Sequence, residues 1–453
     1  MRAFQPSRSA SMRRKGWAVA AVGILLILGA IGLAWLNPQL THYFESDRFR
    51  GELEKETAKG LHFPSGQYAP IHWTGFLSAT SDGFRAKNGR KAMKSIDAHG
   101  ITAKFNPLGF FLRRWQLDDV RIDSGEVEIQ TYTPSPEPSP AKPWFHVFLP
   151  QRVYLKQVEA NPADVTWRFR GEKGGFFDTR LVITPHGRDF NYQASGGTLR
   201  MPLIPNLQLR DTHLLITRKL LTLYNLDLQP GGDATGNIHA EGTAGTGEDR
   251  SVDFNFNFER IPVEEWLPKQ WREHVRGNAS GKISWRGKDP KLENSTGEAT
   301  LRLDGGRIIE LSFLENVAKI TNEKALERLT LNDCSFALAW NYPRAEIKNI
   351  AIEERGKFRA EGRIQVEKKK LSGAIELGVA RYLLDWLPKP EEVFPHQHDG
   401  YLWTTVHLSG TIEAPQQDLS PRIMEVLKEN PGAALGLLLR QFGEWLKNAF
   451  GGE

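Results

Sequence analysis

Metal-ligating side chains crowd together at FPHQHDG (394–400), where His396 and His398 stand two apart and Asp399 follows. In an extended segment, residues two apart share a face, so both imidazoles could reach one zinc ion. No third ligand follows at a recognisable spacing, so the segment reads as an exposed loop and no metal site is expected. Cys334 is the only cysteine. That excludes an internal disulfide and any cysteine-built zinc or iron–sulfur centre, and it reads as a buried thiol. There is no G-x-S-x-G elbow, no H-E-x-x-H pair and no P-loop. The glycines of GTAGTGEDR (242–250) lack dinucleotide spacing and read as a turn. EKKKL (367–371) reads as a solvated hairpin tip whose field salt would screen. NAS (278–280) and NST (294–296) match glycosylation acceptors, a pattern common by chance. The expectation is a protein that is not an enzyme, with no catalytic residues, no cofactor and no metal. Function must then lie in surfaces and in the elements that present them.

The N-terminus supplies the first such element. Residues 1–15 carry Arg2, Arg8, Arg13, Arg14 and Lys15 and no acid, and Trp17–Leu36 is twenty residues without a charge. At about 1.5 Å per residue that is roughly 30 Å of helix, enough to cross a hydrocarbon core. A transmembrane helix is therefore expected over 16–36. Arg13, Arg14 and Lys15 would hold a basic cytoplasmic segment inside, and Trp17 and Trp35 would sit in the two interfacial belts. The rival reading is a signal peptide cut near Gly32-Leu33-Ala34. Its apolar core would be only about 7–15 residues long. Either way the remainder is exported, and no other stretch is long enough to span, so the protein reads as single-pass. Its 59 Lys and Arg against 54 Asp and Glu give a net charge of +5, which implies no nucleic-acid partner.

THYFESDRFRGELEKETAKGLHF (41–63) predicts a polar linker helix ending at Gly60. From about 70 the texture changes to short runs of apolar–polar alternation separated by glycine or polar turns. Examples are Phe254, Phe256, Phe258; Ile283, Trp285; Ile364, Val366; Ile375, Leu377, Val379; and Val406, Leu408. Period two with such turns means antiparallel strands with one apolar face, roughly twenty of them between 70 and 415. Five prolines in PSPEPSPAKP (134–143) favour an extended linker over 134–144, dividing a first β segment (70–133) from a main one (145–415). An exposed loop inside one sheet is the other reading. Residues 308–329 predict one or two helices lying on the sheet. Ser420-Pro421 and Asn430-Pro431 each predict a helix start, and the tail 420–453 carries an amphipathic helix with Leu435, Leu438, Leu439, Phe442 and Trp445 on one side. That helix would pack on the sheet, dock on a second membrane or a partner, or close one end of a groove.

WLPK occurs twice, at Trp266–Lys269 and Trp386–Lys389, each time after an alternating strand and before a loop and a second strand. Gly277 and Gly400 lie 123 residues apart, as do Gly287 and Gly410. The unit predicted is strand, short helix with a tryptophan, proline stop, loop, strand, glycine.

SIDAHGITAKFNPLGFFLRRWQLDDVRIDSGEVEIQT (95–131) resembles the AsmA-like family of bacterial envelope proteins, through its "FNPL" stretch and the spacing of Leu117, Val120, Ile122, Gly125, Val127 and Ile129. GEATLRLDGGRIIELSFLENVAKI (297–320), RAEGRIQVEKKKLSGAIELGV (359–379) and VHLSGTIEAP (406–415) look like that family's C-terminal region. The proline-rich linker and the helical tail depart from the pattern. The resemblance implies a mainly β fold: a long, twisted antiparallel sheet curled into a half-tube with a hydrophobic groove, with few short helices. It also implies an inner-membrane protein with its bulk in the periplasm, handling phospholipid between inner and outer membranes or supporting outer-membrane assembly.

Elementary physics permits a greasy trough, because each buried acyl methylene contributes about 0.8 kcal/mol without any specific motif. The candidate groove residues are Phe254, Phe256, Phe258, Trp266, Ile283, Trp285, Ile375, Leu377, Val379, Trp386, Val406 and Leu408. The competing reading closes the same face into an ordinary core with a second sheet. A second function class is a periplasmic scaffold that pairs exposed strand edges with outer-membrane proteins.

Overall fold

The computed structural model describes residues 41–42 and 45–429, apart from 76, 107–114, 131–152, 170, 188, 203, 218, 232–234, 247, 268, 290, 310–327 and 413. The expected membrane span at 16–36 with its flanks Arg13, Arg14, Lys15, Trp17 and Trp35, the linker at 134–144 and the tail beyond Glu429 lie outside the described residues. Among those described, no helix is long and apolar enough to cross a membrane. The protein is mainly β, with twenty-four strands in one twisted sheet and few helices. β5 (Trp115–Ile129) runs parallel to β6 (Val153–Leu155) in a sheet that is otherwise largely antiparallel, so the sheet is mixed. The chain divides into two compact units, Met1–Val165 and Thr166–Glu453.

In the first unit, β1 (Gly66–Tyr68) and β2 (Ile71–Gly75) lie end to end along one edge of β3 (Ser78–Lys87). β4 (Met93–Phe105) pairs with the other edge of β3 and then with β5. Helix α1 (Asp47–Gly60) starts where the Ser46 side chain accepts the Phe49 N–H at 3.2 Å, and it ends at the predicted Gly60. It is polar on average yet not a free linker. Phe49 packs with Ile71 and Ala79, and Ala58 with Phe63, Phe84 and Ala86. Two small apolar patches on a charged helix are enough to dock it, a signal that mean polarity conceals.

β7 (Val158–Phe169) spans the division between units. The second unit continues with β8 (Glu172–His186), β9 (Asp189–Ser195), β10 (Thr198–Arg200), β11 (Leu207–Ile216), β12 (Leu220–Pro230), β13 (Asn237–Gly245), β14 (Val252–Pro262), β15 (Val275–Gly287) and β16 (Ser295–Ile309). Then come β17 (Arg328–Thr330), β18 (Asp333–Asn341), β19 (Arg344–Glu354), β20 (Phe358–Glu367), β21 (Lys370–Ala380), β22 (His396–His398), β23 (Tyr401–Gly410) and β24 (Pro415–Gln417). From β11 on, each long strand pairs with the next as a meander. The stretch 308–329, predicted helical, opens and closes as strand: Ile308 pairs with both Val275 and Leu329. Register shifts at Phe258/Ile261, Arg276/Asn278, Ser335/Ala337 and Ile347/Ile350 are bulges, which bend strands and add twist.

One margin of the meander holds the tight turns, such as 342–343 and 368–369, and the other holds the long connections 263–274 and 381–400. Both WLPK copies therefore sit on the same margin, each joining two neighbouring antiparallel strands (β14–β15 and β21–β23). The predicted short helix is a single 3-10 turn in both, Val263–Glu265 and Arg381–Leu384. The proline closes neither chain direction for good, since a further helical turn follows at α2 (Lys269–Arg272) and α3 (Pro390–Val393). Finally, α4 (Leu419–Glu429) begins two residues earlier than the Ser420-Pro421 signal suggests. The Gln417 side chain accepts the N–H groups of Leu419 (2.6 Å) and Ser420 (2.9 Å) and so does the capping.

Candidate functional site

Directly opposed residues in antiparallel strands share a face, so the register shows which side chains form continuous rows. One row runs through Gly242, Phe254, Trp285, Gly297, Trp340, Ala345 and Val366. The next runs through Ala240, Phe256, Ile283, Ala299, Leu338, Ile347 and Ile364. Seven strands thus contribute one unbroken apolar band. The opposite face of the same strands is polar: Asp253, Asn255 and Asn257 face Arg286, Ser284 and Lys282, with an Arg286–Asp253 pair at 3.2 Å.

The band is not roofed over by the described residues. Phe254, Phe256, Ile283, Trp285, Ala299, Leu338, Trp340, Ile347, Ile364 and Val366 are all half-buried, and none is fully buried. Neighbours within one sheet cover the flanks of a side chain, and only a second layer covers its top. The rings also lie down on the sheet. Phe254 stacks on Trp285 with centroids 6.2 Å apart. Trp340 lies over Gly297 and Phe258 over Gly281; a Cβ at either glycine would collide with the ring and with a neighbouring carbonyl. The floor is therefore flat and greasy.

The face changes character at its C-terminal end. Leu384, Leu387, Val393, Phe394, Leu402, Val406, Leu419 and Val426 form a closed cluster, with Leu377, Val379, Trp386, Leu408 and Ile423 packed against it. Helix α4 and the second WLPK connection thus cover β21 and β23. Of the residues expected to line a groove, Val406 belongs to this cluster, and Leu377, Val379, Trp386 and Leu408, themselves half-buried, pack against it. Alternation cannot distinguish them from Phe254 or Phe256, because the cover comes from other elements, the 381–400 connection and α4. Ile375 stays half-buried beside this core. Phe258 packs beside the smaller cluster of Ala279, Leu303 and Leu331. The two tryptophans of the repeat part company. Trp386 donates its indole N–H to the Leu383 carbonyl at 2.8 Å within the core, whereas Trp266 is 37% exposed at the margin and makes no floor.

The sequence reading missed Ala299, Leu338 and Trp340 in the band, although alternation over 297–303 and 336–340 carries the same signal as the strands it did select. It also missed the polar clamps on the sheet's edges. On the outer edge of β23, Asp418 accepts the His407 N–H at 2.8 Å, and Arg422 donates to Thr404 Oγ1 (2.9 Å) and to the Thr405 carbonyl (2.6 Å). β22 and β24 pair with the two ends of that edge. On the outer edge of the first unit, Glu54 takes the Tyr68 N–H at 2.9 Å and Glu45 the Trp73 N–H at 3.0 Å. Both edges are blunted by side chains from a flanking helix or its approach.

Chemistry remains sparse. His398 stacks on Trp403 at 4.6 Å, and among the described residues no group of three ligand-type side chains could hold a metal ion. Cys334 is half-buried. A concavity of about 940 Å3 on the polar face, lined by Ser284, Arg286, Glu298, Arg344 and Glu346, has its arginines committed to Asp253 and Glu367. Compared with known proteins, the chain matches no family model, no curated protein and no solved structure, so its activity has to be argued from the uncovered band.

Proposed function

We propose that the chain is a membrane-anchored protein of the bacterial envelope that carries phospholipid acyl chains along the apolar face of its second unit, between inner and outer membranes. The observation that carries this reading is the apolar band over β13–β20, whose large side chains on β14–β20 are half-buried and which is interrupted by no charge. From β13 to β20 there are six steps in the pairing order, with β17 confined to a margin. At about 4.8 Å per step, the band extends roughly 30 Å across the strands. An acyl chain laid there gains about 0.8 kcal/mol per methylene removed from water, with no covalent step. Headgroups stay in water along the open side. The resemblance of residues 95–131 and 297–415 to AsmA-like proteins, and the uncharged stretch 17–36 behind a basic segment, support the placement at an inner membrane facing the periplasm.

The scaffold alternative needs strand edges that a client can pair with. The clamps of Glu45, Glu54, Asp418 and Arg422 occupy those donors and acceptors, which speaks for the carrier.

The test is a photo-crosslink in the full-length chain. Benzoylphenylalanine at position 256 or 283 should yield phospholipid adducts by mass spectrometry, and at position 406 it should yield adducts to α4 instead. Absence of lipid adducts at 256 and 283, with no phospholipid co-purifying above a matched control protein, would overturn the proposal.

A further inference from the structure

The first unit presents a surface of different chemistry. Where α1 ends, the helix, the loop that follows it and the turn before β4 enclose a cleft of about 440 Å3 lined by Lys55, Lys59, His62 and Arg90. Lys91 adds a fifth nitrogen group, its Nζ lying 3.1 Å from His62 Nε2. Lys55 and Lys59 are one helical turn apart, a spacing at which like charges destabilise a helix. The helix dipole accounts for a lysine in the last turn. It does not account for Arg90 and Lys91, which reach the cleft from the turn between β3 and β4.

Lys55, Lys59, Arg90 and Lys91 lack acidic partners among the described residues. Elsewhere on the same hairpin Arg85 pairs with Asp97 at 2.9 Å and Lys94 with Glu128 at 2.7 Å. Lys55, Lys59, Arg90 and Lys91 form no ion pair among the described residues. The one carboxylate lining the cleft, Glu54, already accepts the Tyr68 N–H and lies 4.0 Å from Arg50 Nε. The turn that presents Arg90 and Lys91 is braced from behind. Gln130 Nε2 donates to the carbonyls of Gly89 (2.7 Å) and Lys91 (2.9 Å), and the Arg90 N–H donates to the His62 carbonyl at 3.0 Å. Concentrated, unpaired positive charge on a fixed frame is what a multivalent oxyanion requires, with ammonium and guanidinium donors sharing its oxygens.

We propose that this cleft binds a phosphate group, borne either by an anionic phospholipid headgroup or by a free phosphate. The site lies in the first unit and stands independently of the acyl-carrying band in the second.

The full-length chain in non-ionic detergent is titrated by calorimetry with three probes: dihexanoylphosphatidylglycerol, inorganic phosphate and uncharged dihexanoylglycerol. The phosphate-bearing probes should bind and dihexanoylglycerol should not register at this site. Binding of the phospholipid alone assigns a headgroup, and equal binding of inorganic phosphate assigns the free anion. The triple variant Lys55→Ala, Lys59→Ala, Arg90→Ala should weaken binding about tenfold or more, because each charge-assisted contact is worth roughly that alone. Lys55→Arg with Lys59→Arg should retain it, which separates loss of charge from loss of fold. The proposal fails if neither phosphate-bearing probe binds at millimolar concentration, if the triple variant binds like the parent, or if dihexanoylglycerol binds as well as its phosphorylated counterpart.

Discussion

Trp285 and Trp340 lie in one row of the apolar band with Gly297 between them, yet their indole N–H groups have different fates. Trp340 donates to Ser295 Oγ at 3.3 Å, whereas the Trp285 N–H is buried without a partner among the described residues. Replacing either with phenylalanine removes the same volume, so the difference between the two variants isolates the polar term. Losing a made hydrogen bond costs about 1 kcal/mol, while deleting an unsatisfied donor relieves a penalty of similar size. Trp285→Phe should therefore unfold at a higher urea concentration than Trp340→Phe, and equal midpoints would refute the assignment. Gly297 is tied to the same ring. Because a side chain there would meet both the Trp340 ring and the Ser284 carbonyl, Gly297→Val should cost about 1–3 kcal/mol by the same measurement. Cys334 gives a third test at this scale. Burial, with a lesser push from the Asp333 carboxylate, raises its thiol above the ordinary value. The thiolate is the reactive form, so iodoacetamide should label Cys334 slowly in the native protein at neutral pH and much faster in urea.

At the scale of elements, α4 is held over β21 and β23 by apolar contacts and by one polar latch. Burial pushes the Asp418 carboxyl up, but the N–H and ring of His407 together with the Arg422 guanidinium outweigh it and hold it below its ordinary 3.8. A carboxylate depressed on folding adds stability that is whole above the unfolded value and is lost as pH falls through the folded one. Hydrogen exchange of α4 should thus accelerate selectively below pH 3.8, and Asp418→Asn should flatten that dependence. The latch also marks where sequence reasoning stops. Alternation locates the strands because their faces differ in polarity over every pair of residues, and the two WLPK connections are recognisable because proline and tryptophan punctuate them. What lies on top of a strand is a tertiary fact. Phe254-Asn255-Phe256 and Ile375-Glu376-Leu377 carry the same local pattern, yet only Leu377 is packed against the cluster that α4 helps to close. The docking of α1 is illegible for a related reason, since two apolar patches among many charges leave its mean character polar.

For the whole molecule, the division between an open band and a closed end predicts opposite outcomes from one kind of substitution. Phe256→Asp puts a carboxylate on a face that the described residues leave accessible, where it can remain hydrated. Leu377→Asp puts the same group against a closed apolar cluster, opposite Thr404, whose hydroxyl already takes up the nearby Arg422 guanidinium. Burying an unpaired charge costs several kcal/mol, far more than exposing one on a surface. Phe256→Asp should therefore leave the circular dichroism and protease resistance of the full-length protein near native while abolishing co-purified phospholipid. Leu377→Asp should release the C-terminal end to proteolysis, with any loss of lipid following from that. A carrier whose trough is roofed everywhere would unfold in both cases, and one whose ligand seats at the C-terminal end would lose lipid only in the second. The contrast between the two variants thus locates the path of the acyl chain on β14 and its neighbours, upstream of the α4 cap, and reads that location from the behaviour of the intact protein.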